Sequence, residues 1–190
     1  MNNLYPDYAA RLSHQLGQFN WQKLEPLVQQ LMELWSNKNR LYICGNGGSS
    51  GNATHLANDF LYGINPNGRS IDVEALSANS SVLTCLGNDL GYEFIFSHQL
   101  KVKGKPGDIL LVLSGSGNSA NILNALVQAR TSGLTSWAIL GYSGGKALEF
   151  ADHCLHFEID DMQISEDLQL IVGHMLMKEL NRRMTQLEQK

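Results

Sequence analysis

The sequence has little of several features that would mark a function class at once. It contains three cysteines, Cys44, Cys85 and Cys154, and no two of them are spaced as C-x-x-C. Neither a disulfide framework nor a thiolate zinc site is indicated, and we interpret all three as small buried apolar side chains. The net charge of −4 and the pI near 5.8 provide no basic surface of the kind that nucleic acid requires. We expect no direct nucleic-acid partner.

Long apolar runs are missing as well. No stretch of the chain approaches the roughly 20 apolar residues that cross a bilayer, and no basic N-terminal segment leads into an apolar run. We therefore expect no membrane partner and a cytoplasmic location. Repeats and linkers rich in Pro and Ser are also absent. With 190 residues, of which 43% are hydrophobic, the chain suits one α/β core better than two, so a single domain over residues 1–190 is predicted.

Strand-like and helix-like segments alternate along most of the chain. Residues 20–37 carry apolar side chains at helical spacing, and another helix is predicted before them, from about Tyr8 to Phe19. The alternation that follows favours a doubly wound α/β fold, a parallel sheet covered by helices on both faces. A last amphipathic helix is predicted from Ser165 to about Met184. Strands are predicted around 40–44, 70–76, 108–113, 136–140 and 154–159, with helices at 48–61, 80–86, 92–100, 119–132 and 145–150.

Two loops rich in glycine and serine follow predicted strands. One is "CGNGGSSG", which begins at Cys44, and the other is "LSGSGNSANI", which begins at Leu113. Ligands of such sheets bind outside the carboxyl ends of the strands, where helix N-termini offer N–H groups to an anion. The hydroxyl groups of Ser114, Ser116 and Ser119 can add hydrogen bonds, so a phosphate could bind here without Lys or Arg. Neither loop matches the Walker motif or G-x-G-x-x-G, and each alone is explained equally well as a tight turn before a helix.

Four segments resemble, in order, the motifs of the sugar isomerase domain family, and most closely those of the phosphoheptose isomerases. They are "CGNGGSSGNATHLANDF", "LTCLGNDLGYEFIFSHQL", "GDILLVLSGSGNSANILNALVQA" and "GYSGGKALEFAD", within a match from about residue 38 to 180. The resemblance implies a five-stranded parallel sheet flanked by helices (a SIS domain), with residues 38–190 as the core that binds a sugar phosphate. It implies a homotetramer with its sites at subunit contacts, and residues 1–37 as a helical segment used in that assembly.

The resemblance also implies a reaction, the aldose–ketose isomerisation of sedoheptulose 7-phosphate to D-glycero-D-manno-heptose 7-phosphate, which serves bacterial surface polysaccharide. A proton must leave the carbon beside a carbonyl and return to its neighbour, which requires two titratable groups in different environments. By resemblance these are Asp59 and His174. Zinc is implied at His55, Asp59, Glu166 and His174. The matching substrate-binding positions are Asn46, Gly47, Gly48, Ser49, Asn88, Asp89, Ser114, Gly115, Ser116, Ser119 and Glu166.

Two of these positions depart from the family pattern. Asp59 stands where the family has Glu, and Glu166 where it has Gln. His55 and Asp59 are four residues apart and share one helix face. Glu166 and His174, however, are separated by ~12 Å of helix, so both reach one ion only if the first turn is irregular. Glu166 is alternatively an ordinary first-turn residue after Ser165 as N-cap.

Two other functions remain open at this point. One is a non-catalytic regulator that binds a sugar phosphate on the same fold, and the other is an isomerase of a different sugar phosphate.

Overall fold

A five-stranded parallel sheet forms the centre of the protein in a computed structural model that describes residues 3–188. Its order is β2-β1-β3-β4-β5. Two adjacent parallel strands must be joined by a crossover, and the intervening helices provide it. The strands are β1 (Arg40–Gly45), β2 (Asp72–Ala75), β3 (Ile109–Ser114), β4 (Thr135–Leu140) and β5 (His153–His156). The predicted doubly wound fold is confirmed.

Helices cover both faces of this sheet. In chain order they are α1 (Leu4–Gln18), α2 (Glu25–Asn37), α3 (Gly47–Asn58), α4 (Ser80–Asp89), α5 (Ser97–Lys103), α6 (Ala120–Thr131), α7 (Ala147–Phe150) and α8 (Met162–Glu188). Along β1, Leu41 and Ile43 pack into the core cluster under α2, α3 and α8, whereas Tyr42 and Cys44 pack into the cluster under α5, α6 and α7. The alternation of strand side chains therefore supplies two apolar cores.

The last helix begins one turn earlier than predicted. Asp161 fixes its start, because its Oδ1 accepts a hydrogen bond of 3.1 Å from the backbone N–H of Ile164. Ser165 lies buried inside α8, and its hydroxyl donates to the Asp161 carbonyl at 2.7 Å. The interpretation of Ser165 as N-cap is thus wrong.

Other predicted boundaries shift by a few residues. The helix predicted at 92–100 is a 3₁₀ turn, Tyr92–Phe94, followed by α5. The helix predicted at 48–61 is α3 followed by a single π turn, Asp59–Gly63, in which the N–H of Ile64 donates to the Asp59 carbonyl at 3.2 Å. Such π turns are rare and occur frequently at functional sites.

The cysteines do not share one environment. Cys44 is buried as predicted, Cys154 is partly buried, and Cys85 is exposed, so the prediction that all three are buried is wrong. Cys85 lies on α4, a helix whose apolar side chains are only partly buried. Its thiol donates to the Asp89 carboxylate at 3.5 Å, and this hydrogen bond raises the pKa of Cys85.

The first helix lies at the periphery. It reaches α8 through the hydroxyl of Tyr8, which donates to Asp167 at 2.6 Å, and through an ion pair of 2.9 Å between Arg11 and Asp161. No residue of α1 is buried. Among residues 3–188, no helix combines the length and apolarity needed to cross a membrane.

Candidate active site

The glycine-rich crossing from β1 to α3 forms one wall of a pocket. Gly47 has a φ of +56°, a left-handed conformation that glycine adopts at no steric cost. Gly48 lies so close to α8 that a Cβ at this position would collide with the Glu166 carboxylate. The missing side chains therefore let the backbone turn sharply at Gly47 and let the Glu166 side chain of α8 approach the backbone at Gly48.

The two predicted loops meet at this pocket, which has a volume of about 240 Å³. None of the described residues that line it is Lys or Arg, so an anion would have to be held by neutral donors, namely backbone N–H groups and hydroxyl groups. The predicted substrate-binding residues that line it are Asn46, Gly47, Gly48, Ser49, Ser114, Gly115, Ser116, Ser119 and Glu166.

The serines of the second loop keep their protons available. Ser114 Oγ accepts from the N–H of Gly117 at 3.1 Å, and Ser116 Oγ accepts from the N–H of Asn118 at 3.4 Å. Ser119 precedes α6 without capping it through its side chain. Because a hydroxyl that accepts from the backbone still has its own proton to donate, these side chains can act together on a phosphate.

The amide of Asn46 is almost fully used within the protein. Its Oδ1 accepts from Asn121 Nδ2 at 2.8 Å and from the Tyr92 hydroxyl at 3.0 Å, while its Nδ2 donates to Asn121 Oδ1 at 2.8 Å. Both lone pairs of the oxygen are then occupied, and one N–H remains. Asn46 can therefore donate to a ligand but has no acceptor left to offer.

A second group of polar side chains lies where α3 ends. Asp59 Oδ2 is 3.4 Å from His55 Nε2 and 3.5 Å from His174 Nε2, and the two Nε2 atoms are 3.0 Å apart. The imidazoles are half exposed, at 50% and 46%, whereas the Asp59 side chain is 18% exposed. The family resemblance implied that these three residues meet, and the structure brings them together.

This group has the dimensions of a metal site. Zinc binds imidazole nitrogen at about 2.0–2.1 Å, so the ligand atoms of a tetrahedral site are separated by about 3.3 Å. The three distances between the ligand atoms, 3.0, 3.4 and 3.5 Å, fall around that value. His55, Asp59 and His174 are the described residues that form such a group, and they can hold a metal ion with one position left for another ligand.

Glu166 does not join this group. It lies about two turns before His174 on the regular helix α8, and its carboxylate faces Gly48 in the anion pocket. Asn88 and Asp89 also lie apart from the pocket, as exposed residues at the end of α4, where Asn88 Nδ2 donates to Asp89 Oδ1 at 2.7 Å.

Sequence reasoning missed two polar residues between the pocket and the histidines. Asn52 and Gln169 join α3 to α8 through a hydrogen bond of 3.0 Å. Gln169 is 1% exposed. The available signal was its spacing, since Gln169 lies four residues after the buried Ser165 and four before Gly173, on the helix face that packs against α3.

Comparisons with known proteins agree with this fold. The SIS domain model matches residues 4–141. A phosphoheptose isomerase of Synechocystis sp. is 37% identical over 161 residues, which are 85% of this chain and 83% of that protein. One of Rhodospirillum rubrum is 39% identical over 137 residues, 72% and 73% of the two chains. The structure of a phosphoheptose isomerase from Francisella tularensis has the same fold, with a TM-score of 0.89 at 23% identity over 95% of this chain and 96% of that one. This chain therefore belongs to the SIS domain family and, within it, to the phosphoheptose isomerases.

Proposed function

We propose that the protein isomerises sedoheptulose 7-phosphate to D-glycero-D-manno-heptose 7-phosphate, in the synthesis of bacterial surface polysaccharide. One observation carries the proposal: α3 begins at the anion pocket and ends at a carboxylate that meets two imidazoles. Ser49 and His55 are about 9 Å apart along the helix axis. An extended sugar phosphate can thus place its phosphate at one end of α3 and its carbonyl at the other.

The phosphate end is held by neutral donors. In the proposal Ser49, Ser114, Ser116 and Ser119 donate hydroxyl protons, and the backbones of Gly47, Gly48 and Gly115 approach the oxygens closely. Hydrogen bonds to a charged group are the stronger kind, at about 1.5–3 kcal/mol each. Asn46 donates its remaining N–H to the sugar, and Glu166 accepts from its hydroxyls. Asn88 and Asp89 remain proposed substrate contacts on the strength of the family pattern.

The chemical steps belong to Asp59 and His174. Asp59 accepts the proton from the carbon beside the carbonyl and returns it to the neighbouring carbon through an enediol. His174 moves the proton between the two oxygens. With 3.5 Å between Asp59 Oδ2 and His174 Nε2, the two groups can act on adjacent atoms of one substrate.

Zinc fits the same residues. His55, Asp59 and His174 would hold it, and a bound zinc would polarise the substrate's carbonyl group in place of the proton transfer by His174. The chain's own contribution is to fix the three donors on two packed helices. Glu166 stays in the proposal as a substrate contact, since its carboxylate faces the anion pocket.

We infer further that the chain is one domain over residues 1–190 that assembles as a homotetramer through residues 1–37. Two observations support the assembly. Helix α1 buries none of its residues, and Leu4 and Tyr5 are 66% and 85% exposed. Exposed apolar surface of this kind is typical of subunit contacts.

A second candidate is a regulator that binds a sugar phosphate without turning it over. It is favoured by the negative charge that Glu166 brings to an anion pocket, and by the shorter reach of Asp59. The presence of both imidazoles beside that carboxylate favours the enzyme.

A panel of ketose phosphates separates the candidates. We expect the protein, with and without added zinc, to convert sedoheptulose 7-phosphate faster than shorter ketose phosphates, as followed by NMR of the anomeric protons. Preferred turnover of another ketose phosphate would identify a different isomerase. Binding of every sugar phosphate with no turnover, even with zinc, would identify the regulator.

A further inference from the structure

A buried amide contacts the wall of the anion pocket from behind. Gln169 of α8 is 1% exposed, and its Nε2 donates to Ser49 Oγ at 3.1 Å. Ser49 is itself only 4% exposed and lines the pocket. On its other side, Gln169 Oε1 accepts from Asn52 Nδ2 at 3.0 Å. Three buried or half-buried polar side chains thus form a continuous chain of hydrogen bonds behind the pocket.

The direction of this chain is set at one end by the backbone. Asn52 Nδ2 also donates to the carbonyl of Glu166 at 3.0 Å. A carbonyl can only accept, so the nitrogen of Asn52 must face α8, and the same nitrogen must then meet the oxygen of Gln169. The nitrogen of Gln169 is left to face Ser49. The backbone carbonyl of Glu166 thus fixes the orientation of the Asn52 amide, and Asn52 in turn fixes the orientation of the Gln169 amide.

The consequence falls on the proton of Ser49. Its Oγ receives a hydrogen bond from Gln169, and within residues 3–188 this is the hydrogen bond that the hydroxyl makes. The Ser49 proton therefore points away from Gln169, and the pocket is the polar space that the side chain lines. A hydroxyl that accepts a hydrogen bond from one side keeps its own proton free to donate to an anion on the other.

We propose that Gln169 is a positioning residue, which orients the Ser49 hydroxyl so that it donates to the phosphate of the substrate. The inference deepens the proposed function and rests on it for the identity of the phosphate. A purely structural role for Gln169, as a tie between α3 and α8, predicts a loss of stability but no specific link to Ser49. The two roles differ in whether the effect of changing Gln169 depends on the Ser49 hydroxyl.

The test is a double-mutant cycle read by phosphate binding. Gln169→Glu keeps the size of the side chain but replaces the donor with an acceptor, so that Ser49 donates to residue 169 instead of to the ligand. The affinity for inorganic phosphate, measured by calorimetry on the full chain at fixed pH and salt, should fall about tenfold or more, the loss expected for one hydrogen bond to a charged group. In a Ser49→Ala background there is no proton to redirect, so the same change should cost at least about threefold less. The added negative charge is present in both backgrounds and cancels.

Two controls isolate the effect. Gln186→Met changes an exposed glutamine on the same helix and should leave phosphate affinity unchanged. Circular dichroism and the midpoint of thermal unfolding report whether each variant folds. Gln169→Met, which is neutral and close in size, provides a second cycle if Gln169→Glu unfolds. We expect it to lower the phosphate affinity less than Gln169→Glu does, and again to have a smaller effect when Ser49 is replaced by Ala.

The outcomes separate this inference from the proposed function. Equal losses with and without the Ser49 hydroxyl, or no phosphate binding by the unmodified protein, would overturn the role of Gln169. A protein that shows the predicted dependence on Ser49 but isomerises no ketose phosphate would instead refute the proposed reaction and leave the role of Gln169 in place.

Discussion

Gly173 of α8 lies directly against the side chain of Leu56 of α3, with no room for a Cβ between them. Leu56 is fully buried, so it cannot move aside into solvent. The residues next in sequence to this contact are His55 and His174, whose Nε2 atoms are 3.0 Å apart. The close approach of the two helices at Gly173 therefore sets the spacing of the imidazoles.

Gly173→Ala should disturb the site more than it disturbs the fold. The added methyl group overpacks the contact with Leu56, at a cost of about 1–3 kcal/mol, and the higher helix propensity of Ala offsets about 0.5–1 kcal/mol of that. The free energy of unfolding in urea should fall by about 1 kcal/mol, while turnover should fall about tenfold or more because the imidazoles separate. In the matched control Gly17→Ala, on α1, the new Cβ meets nothing within 4 Å, and no loss is expected. Unchanged turnover in Gly173→Ala would show that this contact does not set the site's geometry.

Glu166→Gln should strengthen anion binding. The change removes a negative charge from a pocket that offers neutral donors, and the gain should be about 1 kcal/mol, since the site is partly solvated. Calorimetric titration with inorganic phosphate should show about a fivefold tighter dissociation constant. Glu33→Gln, which removes the same charge from an exposed position on α2, is the control. If both variants bind phosphate as the unmodified protein does, the Glu166 carboxylate does not face the bound anion.

Much of this arrangement was predictable from the sequence, for clear physical reasons. Strand and helix periodicity predicted the order of the elements, and the glycine and serine loops after β1 and β3 predicted the anion pocket. His55 and Asp59 were predicted on one face because they are four residues apart. These patterns depend only on residues close together in the sequence, so they can be interpreted without knowledge of tertiary packing.

The position of the Glu166 side chain could not be predicted in the same way. The sequence offered Ser165 as the cap of α8, whereas the helix starts earlier because Asp161 accepts a hydrogen bond from the backbone N–H of Ile164. Gln169 was missed because its spacing from Ser165 and Gly173 shows only that the three share one helix face, and does not show which helix packs on that face. Its role depends on the approach of α3, which is a tertiary contact.

The free energy of unfolding should depend on pH through the carboxylate of Glu179. Hydrogen bonds from Arg182, at 2.6 Å, and Arg183, at 2.7 Å, lower the pKa of Glu179 to about 2. Arg183 also pairs with Glu25 of α2 at 2.7 Å, which ties α8 to α2. Because the pKa is lowered in the folded state, this carboxylate stabilises the protein above its ordinary pKa of 4.5 and loses that effect as the pH falls toward about 2.

Glu179→Gln should therefore lower the free energy of unfolding by about 1 kcal/mol at neutral pH, a value reduced by solvent screening. Urea unfolding at a series of pH values should show this difference shrinking below about pH 4.5. Glu149→Gln, an exposed glutamate on α7, should show no such trend. A difference between Glu179→Gln and the unmodified protein that stays constant with pH would rule out the ion-pair explanation.

The proposed assembly predicts a definite mass. Light scattering at micromolar concentration should give about four times the chain mass of 21.0 kDa. Removing residues 1–18 should lower the number of subunits in the assembly, because Leu4 and Tyr5 of α1 are exposed in the single chain. A mass of 21.0 kDa for the full chain would contradict the assembly.

The central claim is that Asp59 transfers the proton in the isomerisation. Asp59→Asn keeps the size and most of the hydrogen bonding of the side chain but removes the basic carboxylate, and Glu149→Gln, which removes a carboxylate from an exposed position on α7, serves as the control. The decisive measurement is kcat for sedoheptulose 7-phosphate in the two variants and the unmodified protein, together with phosphate affinity. The account predicts a loss of about 10²–10⁴-fold in Asp59→Asn alone, with phosphate affinity unchanged. Full turnover in Asp59→Asn would contradict it.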